Sequence, residues 1–170
     1  MKLNLGCAKD VREGWVNVDM YYDHPLVTKA DILSLDYEKG SVDYILAKDI
    51  IEHLPYEVAM QNLRKWYDWL QDGGELFIQT TNFDQIIEAY KKGIWELPVL
   101  NHMLFAGVNY TNVGSQECDF HKSVYSQDFL INELKKIGYS IVSVAEDDID
   151  SVLISHPKSH NLNLEITVKK

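Results

Sequence analysis

Residues 49–53 (DIIEH) carry three polar side chains whose types and spacing could support acid–base chemistry. Asp49, Glu52 and His53 stand at i, i+3 and i+4, which share one side of a helical turn. Imidazole titrates near neutral pH, so we predict a general base at His53 or at the later His121, with Asp49 as the third catalytic residue. A structural alternative stays open, because Asp49 and Glu52 also have the spacing of a helix capping box.

A second candidate site begins where the apolar residues 3–5 end at Gly6. A glycine has no Cβ, so a ligand can approach its backbone closely. Asp19 ends the segment WVNVD, and a carboxylate there can accept hydrogen bonds from the vicinal hydroxyls of a ribose. Asp31, in ADILSL, can combine with a neighbouring backbone N–H to bind the edge of an adenine. Together these groups predict an adenosine-binding site.

The same region offers little to a diphosphate. The GxGxxG pattern and the helix N-terminus that would follow it are absent from the sequence around Gly6. This argues against NAD and ATP, although a different Rossmann-type enzyme that uses NAD or a nucleotide sugar remains an alternative.

The elements that must position these residues alternate between strands and helices. Period-2 and continuous apolar patterns predict six strands, at residues 3–5, 15–19, 43–47, 75–80, 140–145 and 163–168. Helical periodicity predicts helices from Pro55 to Gly73-Gly74, over 84–92, and from the N-cap Ser126 to Gly138. The stretch before Asp31 is predicted to be a turn.

This order predicts an α/β fold, a Rossmann-like three-layer sandwich with a mostly parallel sheet. The last two strands lack a helical connection, so they can pair as a hairpin and make the C-terminal strand antiparallel. Ligands of such sheets bind at the carboxyl ends of the strands, which is where Gly6, Asp19 and Asp49 stand.

We expect one domain over residues 1–170, with an insertion at 93–121. The insertion has weak periodicity and many aromatic residues, and long ordered insertions are often binding loops. It is the predicted lid of the acceptor site, with Phe105 or Tyr110 against the substrate. Ordinary packing over a sheet edge is the alternative.

Composition limits the partners. The chain has a formal net charge of −10, with 46% apolar and 25% charged residues, and its lysines form no basic patch. We therefore expect no nucleic-acid partner and predict a small molecule, a sugar or a cationic group. No signal segment and no apolar run of 18 residues occurs, so we expect a cytoplasmic protein without a membrane partner. Cys7 and Cys118 have neither zinc-site nor disulfide-framework spacing. The oligomeric state is not visible in the sequence.

Five stretches together resemble a known superfamily. They are LNLGCA, GWVNVD, ADILSLDYEKGSVDYILAKDIIEHL, LRKWYDWLQDGGELFIQT and DFHKSVYSQDFLINELKKIGYSIVSV, and in order and spacing they cover nearly the whole chain. The chain resembles the class I S-adenosylmethionine-dependent methyltransferases, in a compact, methyltransferase type 11-like branch with a shortened first connection.

The resemblance implies that S-adenosylmethionine is the cofactor and S-adenosylhomocysteine the product. It implies methyl transfer to an oxygen or nitrogen of a small-molecule or sugar- or glycan-type acceptor. The implied cofactor-binding residues are Leu5, Gly6, Cys7, Asp19, Met20, Asp31, Ile32, Leu33, Lys48 and Asp49.

One position departs from the pattern of the superfamily. Its members usually have GCG where this chain has Gly6-Cys7-Ala8, and an alanine disfavours positive φ. The alternative function is therefore a non-catalytic relative that still binds S-adenosylmethionine or S-adenosylhomocysteine.

The DIIEH segment also resembles a metal site. Small-RNA 2′-O-methyltransferases and ubiquinone-pathway O-methyltransferases hold a divalent cation on an acidic residue, a Glu-His pair and sometimes a distant histidine. Our expectation is that no metal binds here. The alternative that the resemblance implies is a cation on Asp49, Glu52, His53 and His121.

Overall fold

The computed structural model describes residues 1–105, 120–147, 149 and 162–170. The strands are β1 Lys2–Leu5, β2 Val16–Asp19, β3 Val27–Lys29, β4 Val42–Lys48, β5 Leu70–Thr81, β6 Ser140–Glu146 and β7 Asn163–Lys169. The helices are α1 Tyr56–Trp69, α2 Phe83–Lys91, α3 Leu97–Phe105 and α4 Gln127–Ile137. No described helix is long and apolar enough to cross a membrane.

The strands form one seven-stranded sheet in the order β3-β2-β1-β4-β5-β7-β6. Neighbouring strands from β3 to β5 pair in parallel, whereas β7 pairs antiparallel with both β5 and β6. The predicted α/β fold, with its antiparallel C-terminal strand, is confirmed. The strand order reverses between β1 and β4, and open α/β sheets bind ligands at such a switch point.

The main core lies on one face of the sheet, under α1 and α4. Ala59, Leu63 and Trp66 of α1 form the predicted apolar stripe, and all three are buried. Ser126 is the predicted N-cap of α4, and its Oγ accepts the Phe129 N–H. Burial of these apolar stripes holds the two helices against the sheet. The packed helices in turn keep the strands, and the residues at their carboxyl ends, in fixed positions.

Two predictions of element bounds were wrong. α1 ends at Trp69 rather than at Gly73-Gly74, because Leu70 already pairs with Val42 as the first residue of β5. The turn predicted before Asp31 contains the short edge strand β3, which pairs with β2. Only three residues form β3, and none of them is buried, so no apolar pattern marks this strand.

The insertion at 93–121 contains a helix that was not predicted. α3 packs with α2 in a separate apolar cluster that includes Ile86, Trp95, Leu100 and Met103. Phe105, at the end of α3, is exposed. Residues 106–119, with Tyr110 and Cys118, lie outside the described residues, so the predicted role of this insertion as a lid stays a prediction.

The connection between β1 and β2, residues 6–15, contains no helix. Trp15 from this connection packs edge-to-face on Tyr44 of β4, with the Arg12 guanidinium 5.2 Å from the centroid of its ring. The face of the sheet opposite α1 is therefore covered here by an irregular segment, which we call the first link. The shortened first connection expected from the sequence is confirmed.

Candidate functional site

A cavity of about 250 Å³ lies at the carboxyl ends of β1, β2 and β4. The described residues that line it are Gly6, Asp19, Met20, Tyr21, Asp31, Ile32, Asp49, Ile50, His53 and Leu54. Six of the ten predicted cofactor residues therefore meet around one space. Since no lysine or arginine is among the described lining residues, the cavity suits a nucleoside better than a diphosphate.

Gly6 is required here for two reasons. Its φ is +59°, which L side chains rarely adopt, and a Cβ at this position would stand 2.0 Å from Cδ1 of Ile50. Any side chain at position 6 would displace Ile50 from the wall of the cavity. The glycine thus shapes the cavity through both its backbone conformation and its lack of volume.

Asp19 ties the first link to the end of β2. Its Oδ2 accepts the Ala8 N–H at 2.8 Å, and its Oδ1 accepts the N–H groups of Tyr21 and Tyr22. A carboxylate oxygen can accept about two hydrogen bonds, so Oδ2 retains capacity for a ligand hydroxyl. Ala8 adopts a φ of +42°, so the alanine that replaces the usual glycine takes the positive φ that it disfavours.

Asp31 lines the same cavity. Its Oδ1 accepts the Leu33 N–H at 2.9 Å and so caps the short 3-10 turn Ile32–Ser34. The second carboxylate oxygen makes no such bond to the turn. Asp31 therefore combines a structural role with an oxygen that can accept a hydrogen bond from a ligand.

Four predicted cofactor residues do not line this cavity. Leu5 and Cys7 are buried beneath it, Leu33 is exposed, and Lys48 precedes the lining residue Asp49. Burial, followed by the nearby Asp19 charge, raises the pKa of Cys7 to about 11, as expected of a small buried apolar residue rather than a nucleophile. Tyr21, Ile50 and Leu54 also line the cavity. They were not predicted, although each is next to a predicted residue in the chain.

A second cavity, of about 200 Å³, adjoins the first. Its described lining residues are Asp49, Glu52, Gln79, Thr81, His102, Met103, His121 and Asn163. Asp49 lines both cavities and therefore stands at the boundary between them. Gln79 and Thr81 reach this cavity from the end of β5, and Asn163 reaches it from the start of β7. Thr81 stands at a strand end where a ligand is expected, but no pattern in the sequence marks Gln79 or Asn163.

The capping-box interpretation of Asp49 and Glu52 was wrong. Ile51–His53 form only a 3-10 turn, whose N-cap is Ile50 and makes no side-chain cap bond. The Asp49 N–H donates to the Gln79 carbonyl at 2.9 Å, and Asp49 has a φ of +52°. Because Asp49 precedes the turn and neither side chain caps it, both carboxylates need another explanation.

Glu52 is buried, with 1% of its surface exposed. Among the residues that the structure describes, neither of its carboxylate oxygens has a partner with hydrogen-bond geometry, and the same holds for the neighbouring hydroxyls of Thr80 and Thr81. Burial, with a smaller contribution from Asp49, raises the pKa of Glu52 to about 7. The Glu52 N–H, the Thr80 hydroxyl and the Thr81 N–H lie near enough to oppose this rise in part, although none of them has the geometry of a regular hydrogen bond to the carboxylate. A buried carboxyl without partners destabilises the fold, so its presence points to a function.

His53 and His121 stand beside this carboxyl. Their ring centroids are 4.9 Å apart, and the candidate ligand atoms of Glu52, His53 and His121 all lie within 4.8 Å of one another. Nδ1 of His53 is 3.3 Å from the Phe120 carbonyl, and Nδ1 of His121 is 3.2 Å from the Met103 carbonyl. A carbonyl only accepts, so in each of these two contacts Nδ1 carries the proton and donates it.

Residues distant in the chain hold this cluster together. The N–H groups of Lys122 and Ser123 donate to the Glu52 carbonyl, and the His121 N–H donates to the Phe105 carbonyl at the end of α3. Burial, followed by the His53 charge, lowers the pKa of His121 to about 4, so this imidazole is neutral at physiological pH. The structure therefore brings together three of the four residues of the metal alternative, with Asp49 on the adjoining wall.

No known family profile and no curated protein matches this sequence. Solved structures do resemble the fold. A protein from Methanosarcina mazei described as SAM-dependent methyltransferases aligns over 99% of this chain and 91% of its own, at a TM-score of 0.68 and 12% identity. An S-adenosylmethionine-dependent methyltransferase from Mesorhizobium loti aligns over 99% of this chain and 90% of its own, at a TM-score of 0.63 and 14% identity.

A third similar structure contains ligands. It is the 1,6-didemethyltoxoflavin-N1-methyltransferase of Burkholderia thailandensis with bound 1,6-didemethyltoxoflavin and S-adenosylhomocysteine. It aligns over 99% of this chain and 70% of its own, with a TM-score of 0.63 and 11% identity. The chain thus has the fold of the class I S-adenosylmethionine-dependent methyltransferases, as the sequence predicted.

Proposed function

We propose that this protein is an S-adenosylmethionine-dependent methyltransferase that acts on an oxygen or nitrogen of a small-molecule or sugar-type acceptor. The observation that carries the proposal is the pair of adjoining cavities that share Asp49. Methyl transfer needs a cofactor and an acceptor in line, with water excluded, and two spaces separated by one residue suit that geometry. The fold supports the same assignment.

The cavity residues fit the cofactor without a phosphate site. Oδ2 of Asp19 can accept a ribose hydroxyl, and Asp31 with the backbone of Ile32 can bind the adenine edge. Gly6 has no Cβ, so Ile50 can pack against it in the cavity wall, and the backbone at the end of β1 is left to face the amino-acid tail. When bound, S-adenosylmethionine supplies a methyl group on a sulfonium that leaves readily.

The acceptor loses its proton to a side chain at or beside the second cavity. The lowered pKa of His121 makes it a weak base, so His53, whose Nδ1–H is bonded to the Phe120 carbonyl, is the better candidate. Asp49 lies between the two cavities and can stabilise the positive charge that such a base acquires. An acceptor amine that is already neutral requires less of this assistance.

The cluster also fits a divalent cation. Two imidazoles whose Nδ1–H groups bond to carbonyls, together with a buried carboxylate without partners, are the donor set that Zn²⁺ and similar ions prefer. Glu52, His53 and His121 would hold the ion, and Asp49 would then be the remaining base. The ion would lower the pKa of an acceptor hydroxyl.

Titration calorimetry with S-adenosylhomocysteine tests the cofactor assignment. We expect binding by the wild type, a loss of about tenfold in affinity for Asp31→Ala from one lost hydrogen bond to a charged group, and no change for the exposed Asp36→Ala. Absence of binding by folded wild-type protein would exclude the proposal. Binding without turnover on a broad acceptor panel would favour the non-catalytic relative, and a thermal shift with NAD alone would favour a different Rossmann-type enzyme.

A thermal shift with Zn²⁺ or Mn²⁺ in the absence of the cofactor tests the metal site. Ion at about 100 times its dissociation constant should add roughly 2.7 kcal/mol of stability. Glu52→Gln and His121→Asn should abolish this shift, whereas His102→Asn, in the same cavity but outside the cluster, should keep it. A shift that persists in all three variants would exclude the ion from the cluster and leave His53 as the base.

A further inference from the structure

Two asparagines interrupt the apolar pattern of neighbouring central strands. Asn4 of β1 and Asn17 of β2 are exposed by only 3% and 2%. Side chains alternate between the faces of a strand, so both point away from the core that contains Leu3, Leu5 and Val18. Their face is covered by the first link, residues 6–15, rather than by a helix.

Asn17 uses its whole side-chain amide to hold this link. Its Oδ1 accepts the Arg12 N–H at 2.9 Å, and its Nδ2 donates to the Arg12 carbonyl at 2.8 Å. Nδ2 also lies 3.3 Å from the carbonyl oxygens of Trp15 and Leu26. An irregular segment that covers a sheet leaves backbone groups buried, and this amide satisfies them.

Asn4 extends these contacts towards the cofactor cavity. Its Nδ2 donates to Oδ1 of Asn17 at 3.0 Å and to the Asp10 carbonyl at 2.6 Å. The Asp10 N–H donates in turn to the Cys7 carbonyl at 2.8 Å. A continuous chain of hydrogen bonds therefore runs from Asn17 to the residue that follows Gly6.

Asn17 and Asp19 lie on the same face of β2 and form hydrogen bonds with the two ends of the first link. Asp19 accepts the Ala8 N–H at the cavity end, while Asn17 holds Arg12 at the far end. Ala8 between them is strained at a φ of +42°. A strained backbone conformation persists only when contacts with the surrounding structure hold it in place. The hydrogen bonds from Asp19 and Asn17 to the first link are such contacts.

We infer that Asn17, assisted by Asn4, is a positioning residue for the cofactor: its amide fixes the helix-free first link and so holds Gly6 and Ala8 in the conformation that binds the nucleoside. The inference rests on the proposed cofactor site. Asn17 itself does not line the cavity and acts only through the first link.

Asn17→Ala, compared with Asn62→Ala, tests this inference. Asn62 is a matched control because it is also buried, donates to a backbone carbonyl (that of Val58) and lies in α1, away from the link. S-adenosylhomocysteine affinity is measured by calorimetry at a temperature where each variant is folded. We expect Asn17→Ala to weaken binding by about tenfold or more, and Asn62→Ala by less than about twofold.

Amide hydrogen exchange supplies a second readout that needs no ligand. In Asn17→Ala the amides of Ala8 and Arg12 should exchange faster, while those of α1 keep their protection. If Asn17→Ala does not fold, Asn4→Ala tests the same chain of bonds, with an expected loss of about threefold in affinity.

Two outcomes overturn the inference in different ways. Wild-type affinity in a folded Asn17→Ala would make the amide a structural element only, and would leave the proposed function intact. Wild-type protein that binds no S-adenosylhomocysteine would remove the cofactor site, and with it the role assigned to Asn17.

Discussion

Asp49 and Gln79 bind each other through both backbone and side chain. The Asp49 N–H donates to the Gln79 carbonyl at 2.9 Å, and Nε2 of Gln79 donates to the two carboxylate oxygens of Asp49 at 3.2 and 3.3 Å. Asp49 adopts a φ of +52°, a conformation that Asn and Asp tolerate better than other L residues. Gln79, at the end of β5, thus fixes a carboxylate at the boundary between the two cavities.

The charge of Asp49 should distinguish the cofactor from its product. S-adenosylmethionine carries a positive sulfonium and S-adenosylhomocysteine a neutral thioether, so Asp49→Asn should weaken binding of the first by on the order of tenfold more than the second. Asparagine keeps the size of the side chain and tolerates the backbone conformation. Calorimetry with both ligands checks this, with Asp36→Asn as the exposed control. Equal losses for the two ligands would mean that Asp49 lies far from the sulfonium.

Ala8→Gly should stabilise the protein. Left-handed backbone costs an L residue roughly 1 kcal/mol, and glycine avoids this cost, so we expect a gain of about 0.5–1 kcal/mol in the free energy of unfolding. Urea denaturation measures it. Ala145→Gly, in the exposed strand β6, should instead lose about 0.5–1 kcal/mol. A loss in both variants would show that the positive φ of Ala8 carries no strain.

The fold could be predicted because its signals are local. Apolar runs such as 43–47 end at polar residues, and the ends of parallel strands must meet at one edge of a sheet. β3 was not predicted because its three residues are at most half-buried and show no apolar pattern. α3 was not predicted because most of its residues are apolar, so no apolar stripe distinguishes one face from the other. Pro98 near its start also weakens the helical pattern.

The candidate site was only half predictable, for a different reason. Gly6 follows β1 and Asp19 ends β2, so their meeting is a consequence of the predicted topology, whereas the strand that places Asp31, β3, was not predicted. The burial of Glu52 depends on residues 120–125 docking on its turn through Lys122 and Ser123, nearly 70 residues later. No local pattern encodes that contact, and the local spacing suggested a helix cap instead.

The second cavity, which we propose to hold the acceptor, should disfavour anions. Its described lining residues include the carboxylates of Asp49 and Glu52 and no lysine or arginine. A phosphorylated or carboxylated acceptor would bring a like charge into a confined space, which costs on the order of tenfold or more in affinity. Initial rates on a panel of sugars and amines, each paired with its phosphorylated form, measure this preference. Faster methylation of the phosphorylated members would place the acceptor elsewhere.

Glu52 should make the metal-free protein less stable as pH rises. The folded-state pKa of about 7 lies above the ordinary 4.5, so the folded protein binds more protons than the unfolded chain between these values. Stability is then highest below about pH 4.5 as far as this group is concerned, and falls as pH rises through 7. His121 has the opposite sign, because its pKa is lowered from 6.5 to about 4 and protonation below 6.5 opposes folding. The two slopes offset each other between about pH 4.5 and 6.5.

Glu52→Gln isolates the carboxyl from these opposing effects. Glutamine mimics the neutral acid, so the variant should match the wild type near pH 4.5 and exceed it by about 2–3 kcal/mol at pH 8, with EDTA present throughout. Denaturation curves at the two pH values measure the difference. Glu165→Gln, a control in β7 outside the cluster, should show no such trend. A Glu52→Gln variant no more stable than wild type at pH 8 would mean that the buried carboxylate has partners that solvate its charge.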